Sequence, residues 1–391
     1  MKQTRTIRLP LVADPKDFLP AMEAYSKAFN LVCERGWKDS DSNGVSLHHK
    51  TYQQCKQLGL PAQLAVSARM KATEALLSVK DRVKKGKRAS CPQTRLCPMR
   101  LDARSYTLWV GKGICSILTL EGRKRCNFKV PQFYERFMNW RQGSADLVLG
   151  RDKRKDRVFL HLVMWREVED PVLAGRVVGV DAGIRRVAVT SKNQFFGGGE
   201  LLRVARGYRS KRRSLQRKGH SGRRHLNRLG RRENRFVRDM LHVVSRRIVA
   251  GLRPGDAVAM ERLTGIRERR LRKAQRTALN AWAFARLQVM IQYKAEGRGC
   301  LVVYVNPRNT SKGCSRCGHV SGANRKSQSL FKCQQCGLSL NADLNGSRNI
   351  ALRGEMRLAK GQPHGLPPTS PRCSPGQFPG RSKPTNSFVG G

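Results

Sequence analysis

The sequence predicts an α+β protein of several domains, in which an N-terminal β-barrel with an inserted helical domain precedes an α/β domain. Two observations predict it: the hydrophobic pattern changes along the chain, and two cysteine pairs interrupt the C-terminal part. The 391 residues, 39% of them hydrophobic, are enough for roughly two to four domains. Apolar clusters such as Leu301–Val305 recur between basic stretches, which excludes a disordered polycation.

The N-terminal half divides into a helical part and a strand-rich part. Residues 1 to 10 alternate as a strand does, whereas apolar residues spaced by three and four predict helices over 17–37 and 62–83, within a helical domain at 11–90. Short β-rich stretches then alternate with Gly and charged turns. Together with residues 1–10 they predict a barrel that continues over 91–172. The strands are expected at 106–110, 114–120, 147–149 and 158–165.

From Gly175 onwards, strands and helices alternate. Residues 177–180 read as a buried strand that ends at Asp181, and 187–190 pair back on it. A second strand ends at Glu261, and a third covers Leu301–Val305. Helices are expected around 236–248, 279–296 and 343–353. The α/β domain is predicted to comprise 173–308 and 339–360, and the Pro-, Gly- and Ser-rich tail, 361–391, to be disordered.

Three acidic residues stand where metal ligands would be expected. Asp181 and Glu261 end strands, and Asp343 opens a helix, so that the three side chains can converge. Phosphodiester hydrolysis by two divalent ions needs a few such carboxylates that converge on two metal ions about 3.5–4 Å apart. Singly each is weak, because an Asp at a strand end is often a turn former and Asp343 can be a helix cap. Their shared order and setting predict a Mg²⁺ site.

The cysteine pattern is more specific. Two C-x-x-C pairs are separated by fifteen residues, and Gly318 and Gly337 directly follow them, which permits the tight turn that directs both thiolates at one ion. An iron–sulfur centre or a redox dithiol is the weaker alternative. The pattern predicts a structural zinc ribbon at 309–338, with ligands Cys314, Cys317, Cys333 and Cys336. Most of the other cysteines are interpreted as small apolar residues or bystanders. For Cys91 and Cys97 the weaker alternative is half of a second metal site, for which no partner pair is near.

Charge indicates the partner. The chain carries 78 Lys and Arg against 27 Asp and Glu, a formal net charge of +51, which would repel itself in a compact fold unless a polyanion neutralised it. Basic residues are densest between Arg203 and Arg238, where Glu233 is the single acid and interspersed leucines favour helices. Charge blocks are often merely solvated, but here phosphate contact is favoured. The residues assigned to it are Arg209, Lys211, Arg212, Arg213, Arg217, Lys218, Arg223 and Arg224.

The N-terminus has no apolar run behind its charges, and no segment approaches the ~18 apolar residues of a membrane span. We therefore expect no membrane partner and an intracellular location.

These residues resemble the TnpB family of transposon-encoded, RNA-guided nucleases, which are related to the type V CRISPR effectors. The resemblance rests on GVDAGIRRVAVTS, AMERLTGI, QYKAEGRG, NPRNTSKGCSRCGHVS, FKCQQCG and NADLNGSRNIAL, with LPAQLAVSA and LDARSYTLWVG upstream. It implies an RNase H-like, RuvC-type domain split by a zinc ribbon, and Asp181, Glu261 and Asp343 as the catalytic triad. Gly313 and the Pro-rich tail depart from the family pattern.

The resemblance implies an RNA-guided DNA endonuclease that cuts at a single RuvC-type site with two Mg²⁺ ions, or Mn²⁺ in their place. Its partners would be a guide RNA and a double-stranded DNA target with an adjacent motif, and a monomer is favoured. Its location would be the cytoplasm of a prokaryote, in association with the nucleoid. The alternative is an RNA-guided DNA-binding regulator or transposon accessory protein without useful nuclease activity. A transposase is disfavoured, since no tyrosine lies within a His-rich metal site.

Overall fold

The computed structural model describes residues 1–152, 155–183, 185–262 and 284–360. Two compact units divide at Val168 and Glu169. Within the described ranges, every helix is too short or too polar to cross a bilayer.

The first unit contains three long helices between its first and second strands. Strand β1 (Lys2–Val12) leads into α1 (Leu19–Lys38), α2 (Gly44–Gln57) and α3 (Ala62–Lys84). Apolar residues at three- and four-residue spacing bury one face of α1, and Met22, Tyr25, Phe29 and Val32 all lie in the core. The helices and the sheet share one hydrophobic core.

The sheet of the first unit is antiparallel and barrel-like. It has seven strands in the order β2-β6-β7-β1-β5-β4-β3. The central strand β1 pairs with the last strand of the unit along most of its length, from Lys2 opposite Glu167 to Pro10 opposite Phe159. Its remaining members are β2 (Met99–Leu101), β3 (Tyr106–Trp109), β4 (Ile114–Thr119), β5 (Gly122–Phe128), β6 (Arg141–Asp152) and β7 (Lys155–Glu167), with a short helix α4 (Gln132–Glu135) before β6.

The second unit is built on a five-stranded mixed sheet in the order β10-β9-β8-β11-β12. Its strands are β8 (Val177–Asp181), β9 (Arg186–Thr190), β10 (Phe195–Gly197), β11 (Ala257–Glu261) and β12 (Leu301–Val305). Strands β8, β11 and β12 run parallel, and β9 and β10 are antiparallel to their neighbours. The side-chain period of two sends alternate residues of each parallel strand into separate cores.

Helices cover both faces of this sheet. Val178, Val180 and Val258 face the core formed with α6 (Gly219–Ala250) and α7 (Phe284–Glu296), whereas Val177 and Ala259 face α8 (Ala342–Ala359). Helix α5 (Gly199–Arg217) precedes α6, and the short hairpin of β13 (Leu330–Lys332) and β14 (Ser339–Asn341) precedes α8.

The structure confirms a mixed α/β chain with a barrel-like sheet, and it adds elements that the sequence did not predict. Helix α2 and strands β2, β5 and β10 were missed, and the predicted helix at 343–353 extends to Ala359. Residues 279–283 of a predicted helix and the whole predicted disordered tail lie outside the described residues.

Candidate functional site: a carboxylate edge, a cysteine cluster and a basic hairpin

Two of the three candidate carboxylates lie on adjacent parallel strands. Asp181 is the last residue of β8 and Glu261 the last of β11, and the strands are in register at Val180 opposite Met260. Because parallel strands end at the same edge of a sheet, the two acidic residues are neighbours there.

The third carboxylate reaches the same edge from helix α8. The Asn341 side chain caps this helix by accepting the backbone N–H groups of Asp343 and Leu344. Asp343 and Gly346 are one turn apart and therefore share a helix face. A Cβ atom at Gly346 would lie 2.8 Å from Asp181 Oδ2, so this face contacts the Asp181 carboxylate. Arg186 Nε lies 3.9 Å from Asp343 Oδ2.

The electrostatics of this edge suit a cation. Burial raises the pKa of Asp181 to about 8, the charges of Glu261 and Asp343 add to the increase, and Arg325 opposes it. A divalent cation among the carboxylates would lower that repulsion, and an all-oxygen donor set suits Mg²⁺ or Mn²⁺. The donor types therefore fit the ion that the sequence predicts.

The four cysteines lie close enough together to share one metal ion. In the described ranges they form the one group of at least three His, Cys, Asp or Glu residues whose ligand atoms lie within 4.8 Å of one another. The sulfurs of Cys314 and Cys336 are 3.6 Å apart, as are those of Cys317 and Cys333. Four thiolates at this spacing can hold one tetrahedral Zn²⁺.

Backbone geometry explains how the two cysteine pairs turn. Gly318 and Gly337 have φ values of 76° and 70°, in the left-handed region that glycine adopts without strain. Backbone N–H groups of Arg316 and Gln335 donate to Cys314 and Cys333 at 3.4 Å each. Amides of Cys336 and Gln335 lower the pKa of the Cys333 thiol to about 6, which favours the thiolate that binds metal.

Hydrogen bonds join the base of this cysteine-containing loop to α8, through residues that were not predicted from the sequence. Asn345 and Asn349 each donate from Nδ2 to the Gly313 carbonyl at 2.7 Å, and Asn349 also donates to the Thr310 carbonyl at 2.8 Å. The Thr310 hydroxyl in turn donates to Glu261 Oε1. The only signal in the sequence was the Asn-x-x-x-Asn spacing after Asp343, which puts both amides on one helix face.

The basic segment forms a helical hairpin. Helices α5 and α6 contact each other on either side of Gly219, whose φ is +57°. A Cβ atom at Gly222 would lie 2.2 Å from the Leu215 carbonyl oxygen, so the glycine permits the close approach at the turn. Most candidate phosphate ligands are exposed here: Lys211, Arg213, Arg217, Lys218, Arg223 and Arg224.

Two of the eight candidates differ from the rest. Arg209 is half-buried, and Arg212, also half-buried, pairs with Glu233 across the hairpin. The single acid of the segment is therefore used to hold α5 against α6.

Comparisons with known proteins place the chain among a defined group. A family model described as "Cas12f1-like, TNB domain" matches residues 284–350, and one described as "Probable transposase" matches residues 161–255. The first match covers α7, the cysteine cluster and the start of α8, and the second runs from β7 to the end of α6.

Curated relatives carry corresponding names. A "CRISPR-associated endodeoxyribonuclease Cas12f1" of Sulfoacidibacillus thermotolerans is 33% identical over 232 residues, which are 54% of this chain and 53% of the relative. A TnpB-like protein of Methanocaldococcus jannaschii is 40% identical over 122 residues, 30% of this chain and 43% of the relative. The chain thus spans about half the length of these relatives.

A solved structure shares the fold. The Cas12f1 chain of a Cas12f1–sgRNA–target DNA complex aligns with a TM-score of 0.62 at 17% identity, covering 85% of this chain and 81% of that one. Fold and site therefore define an α/β protein with the architecture of the Cas12f effectors and a four-cysteine cluster able to hold zinc. The chain is related to the TnpB proteins and to Cas12f1, and the resemblance found in the sequence is confirmed.

Proposed function

We propose that the protein is an RNA-guided DNA endonuclease with a single RuvC-type site formed by Asp181, Glu261 and Asp343. The observation that carries the proposal is the meeting of these three carboxylates at one sheet edge, where burial, with the charges of Glu261 and Asp343 adding to it, raises the pKa of Asp181 to about 8. Such an arrangement is unfavourable for stability alone and favourable for binding divalent cations.

The topology of the second unit supports an RNase H-like assignment. Along the chain, β8, β9 and β10 follow one another as antiparallel neighbours, and β11 and β12 then run parallel to β8. The spatial order of the strands in the sheet is β10-β9-β8-β11-β12. We assign residues 173–308 and 339–360 to this nuclease domain and 309–338 to the inserted zinc ribbon. Residues 1–10 and 91–172 are assigned to the barrel, and residues 11–90 to its helical insertion.

In the proposed reaction the three carboxylates hold two Mg²⁺ ions, with Mn²⁺ able to replace them. Bound there, the ions would supply an activated water and stabilise the leaving oxygen of the phosphodiester. The protein's own part is to fix the carboxylates on rigid elements: β8 and β11 position Asp181 and Glu261, and the capped first turn of α8 positions Asp343. Cys314, Cys317, Cys333 and Cys336 hold Zn²⁺ and give the ribbon its shape.

The proposed partners are a guide RNA and a double-stranded DNA target. A relative in Escherichia coli K12, 46% identical over 72 residues, is named "Putative RNA-guided DNA endonuclease InsQ". Exposed cations of the α5–α6 hairpin would contact phosphates and give affinity without sequence information, so specificity would come from guide pairing. The first unit would hold the guide and read the motif next to the target.

The first test is to express the chain with its flanking genomic DNA and sequence the RNA that copurifies. A discrete RNA with a constant part and a variable end is expected, and it defines the DNA target for cleavage with and without Mg²⁺. Random cellular RNA would contradict guidance.

Asp181→Ala then tests the site. We expect it to abolish cleavage while RNA and DNA binding stay near those of the parent, with the exposed Asp81→Ala as the control. Guided binding without cleavage by the parent chain would instead support the alternative, a DNA-binding regulator.

A further inference from the structure

The hydrogen bonds of Thr310 connect Glu261 with the helix that carries Asp343. Its side chain is 3% exposed, and its hydroxyl donates to Glu261 Oε1 and lies 3.0 Å from the Pro307 carbonyl. A buried hydroxyl directed at a carboxylate makes a charge-assisted hydrogen bond, which is shorter and stronger than a neutral one.

The backbone of Thr310 is held from the opposite side. Asn349 donates from Nδ2 to the Thr310 carbonyl at 2.8 Å and to the Gly313 carbonyl at 2.7 Å. Asn345, one turn earlier, donates to the same Gly313 carbonyl and accepts the Ser315 backbone N–H at 3.0 Å. These amides lie on the helix that begins next to Asp343, so the segment 310–315 cannot shift without breaking bonds to α8.

Burial adds to the rigidity of this connection. Asn345 is fully buried and Asn349 is 9% exposed. Buried amides that lose their partners cost free energy, so their hydrogen bonds favour one arrangement of the loop.

We propose that Thr310 is a positioning residue: with Asn349 and Asn345 it fixes the Glu261 carboxylate relative to Asp343. The inference rests on the proposed nuclease function and deepens it. It assigns the segment just before Cys314 a role in setting the spacing of the carboxylates, separate from zinc ligation. Thr310 itself contacts neither substrate nor metal in this role.

Thr310→Val is the decisive variant, because valine keeps the shape and removes the hydroxyl. We expect cleavage of the guided target to fall about 10- to 100-fold, since small displacements of reacting groups have effects of that order. Thr310→Ser, which keeps the hydroxyl, should restore most of the rate. Zinc content and affinity for RNA and DNA should be those of the parent, whereas the thermal unfolding temperature of Thr310→Val should fall, because Glu261 loses a buried hydrogen-bond donor.

A readout independent of cleavage is the stabilisation that Mn²⁺ gives to the protein. Raising Mn²⁺ should increase the unfolding temperature of the parent and of Thr310→Ser more than that of Thr310→Val. Thr190→Val is the matched control, because Thr190 is buried in the same unit and its hydroxyl bonds to Gln194 instead of a carboxylate.

The outcomes separate the two proposals. If the parent chain does not cleave its guided target, the proposed function fails, whatever Thr310 does. If the parent cleaves and Thr310→Val cleaves equally well with an unchanged Mn²⁺ response, the positioning role is overturned. Equal losses in Thr310→Val and Thr310→Ser, or in Thr190→Val, would also overturn it, because they would indicate general damage to packing.

Discussion

At the scale of single residues, Asp181 shows the clearest consequence of burying a carboxylate beside two others. Its folded pKa of about 8 lies above the ordinary value of 3.8, so the folded chain binds a proton that the unfolded chain has released. This stabilisation is complete at low pH and is lost as pH rises through 8. We expect the metal-free site to lower the free energy of unfolding by at most about 1.4 kcal/mol per pH unit between roughly pH 5 and 8.

The measurement is urea unfolding across that pH range for the parent and for Asp181→Asn, which cannot ionise. The difference between the two curves isolates Asp181 from other titrating groups, such as Cys333. Saturating Mg²⁺ should reduce the difference, since a bound cation favours the ionised carboxylate. Parallel curves for the two proteins would show that Asp181 titrates normally.

The residues of the site were predictable to different extents. Asp181 and Glu261 could be found because each follows a short apolar run, and the ends of parallel strands converge by geometry. Thr310 and Asn349 could not, because their partners lie 49 and 39 positions away in the sequence and only the folded chain brings them together. Arg212 was predicted to be a phosphate ligand like its basic neighbours. Its ion pair with Glu233 could not be predicted, because it depends on how the hairpin folds.

At the scale of elements, glycines set how closely α8 approaches the sheet. A Cβ atom at Gly179 would lie 2.0 Å from the Ser347 carbonyl oxygen and 2.5 Å from the Ala351 nitrogen, both backbone atoms that cannot rotate away. Gly179→Ala should therefore displace α8 and destabilise the protein by about 1–3 kcal/mol or more. Thermal unfolding measures this, and cleavage should fall with it because α8 carries Asp343.

Gly207→Ala is the corresponding control. Gly207 lies within α5 with no atom near its Cβ position, so alanine should stabilise that helix by up to about 1 kcal/mol. If the two substitutions had the same effect on unfolding, the close approach of α8 to β8 would not be a determinant of stability.

The cysteine ribbon is an element whose fold we expect to depend on a bound metal. Its strands β13 and β14 are three residues each, too short to be stable without a further link. We expect one Zn²⁺ per chain by elemental analysis, loss of that zinc in Cys333→Ser, and local unfolding on chelation. Cys91→Ser, at a half-buried cysteine outside the cluster, should keep a full equivalent. Zinc-free protein with an ordered ribbon would contradict the assignment.

Elements were predicted best where one periodicity dominates. The apolar stripe of α1 was predictable because one face of this helix packs against the core. The apolar runs of β8, β11 and β12 were predictable because these strands are buried on both faces of the sheet. Strand β5 (Gly122–Phe128) has mostly polar, basic residues and pairs between β1 and β4, so its pairing and not its composition makes it a strand. Helix α2 was missed for a similar reason: only Leu47, Thr51 and Cys55 are buried, in a largely polar sequence.

At the scale of the whole molecule, the net charge of +51 predicts that the proposed nucleic-acid binding is strongly salt-dependent. Each phosphate contact releases counterions and contributes about 0.7–0.9 to the slope of log affinity against log salt. Affinity for a non-target nucleic acid, measured over a range of KCl concentrations, should fall steeply. A flat response would exclude phosphate contact as the main source of affinity.

Substitutions in the α5–α6 hairpin test the contribution of single cations to this salt dependence. Arg217→Gln and Arg223→Gln remove exposed cations, and each should reduce the salt slope by about 0.7–0.9 without changing the unfolding temperature, if each contacts one phosphate. Arg212→Gln removes a cation that Glu233 already neutralises, so we expect a smaller change in slope together with a lower unfolding temperature, because the two helices lose their ion pair. Equal slope changes in all three variants would mean that bound nucleic acid displaces Glu233 from Arg212.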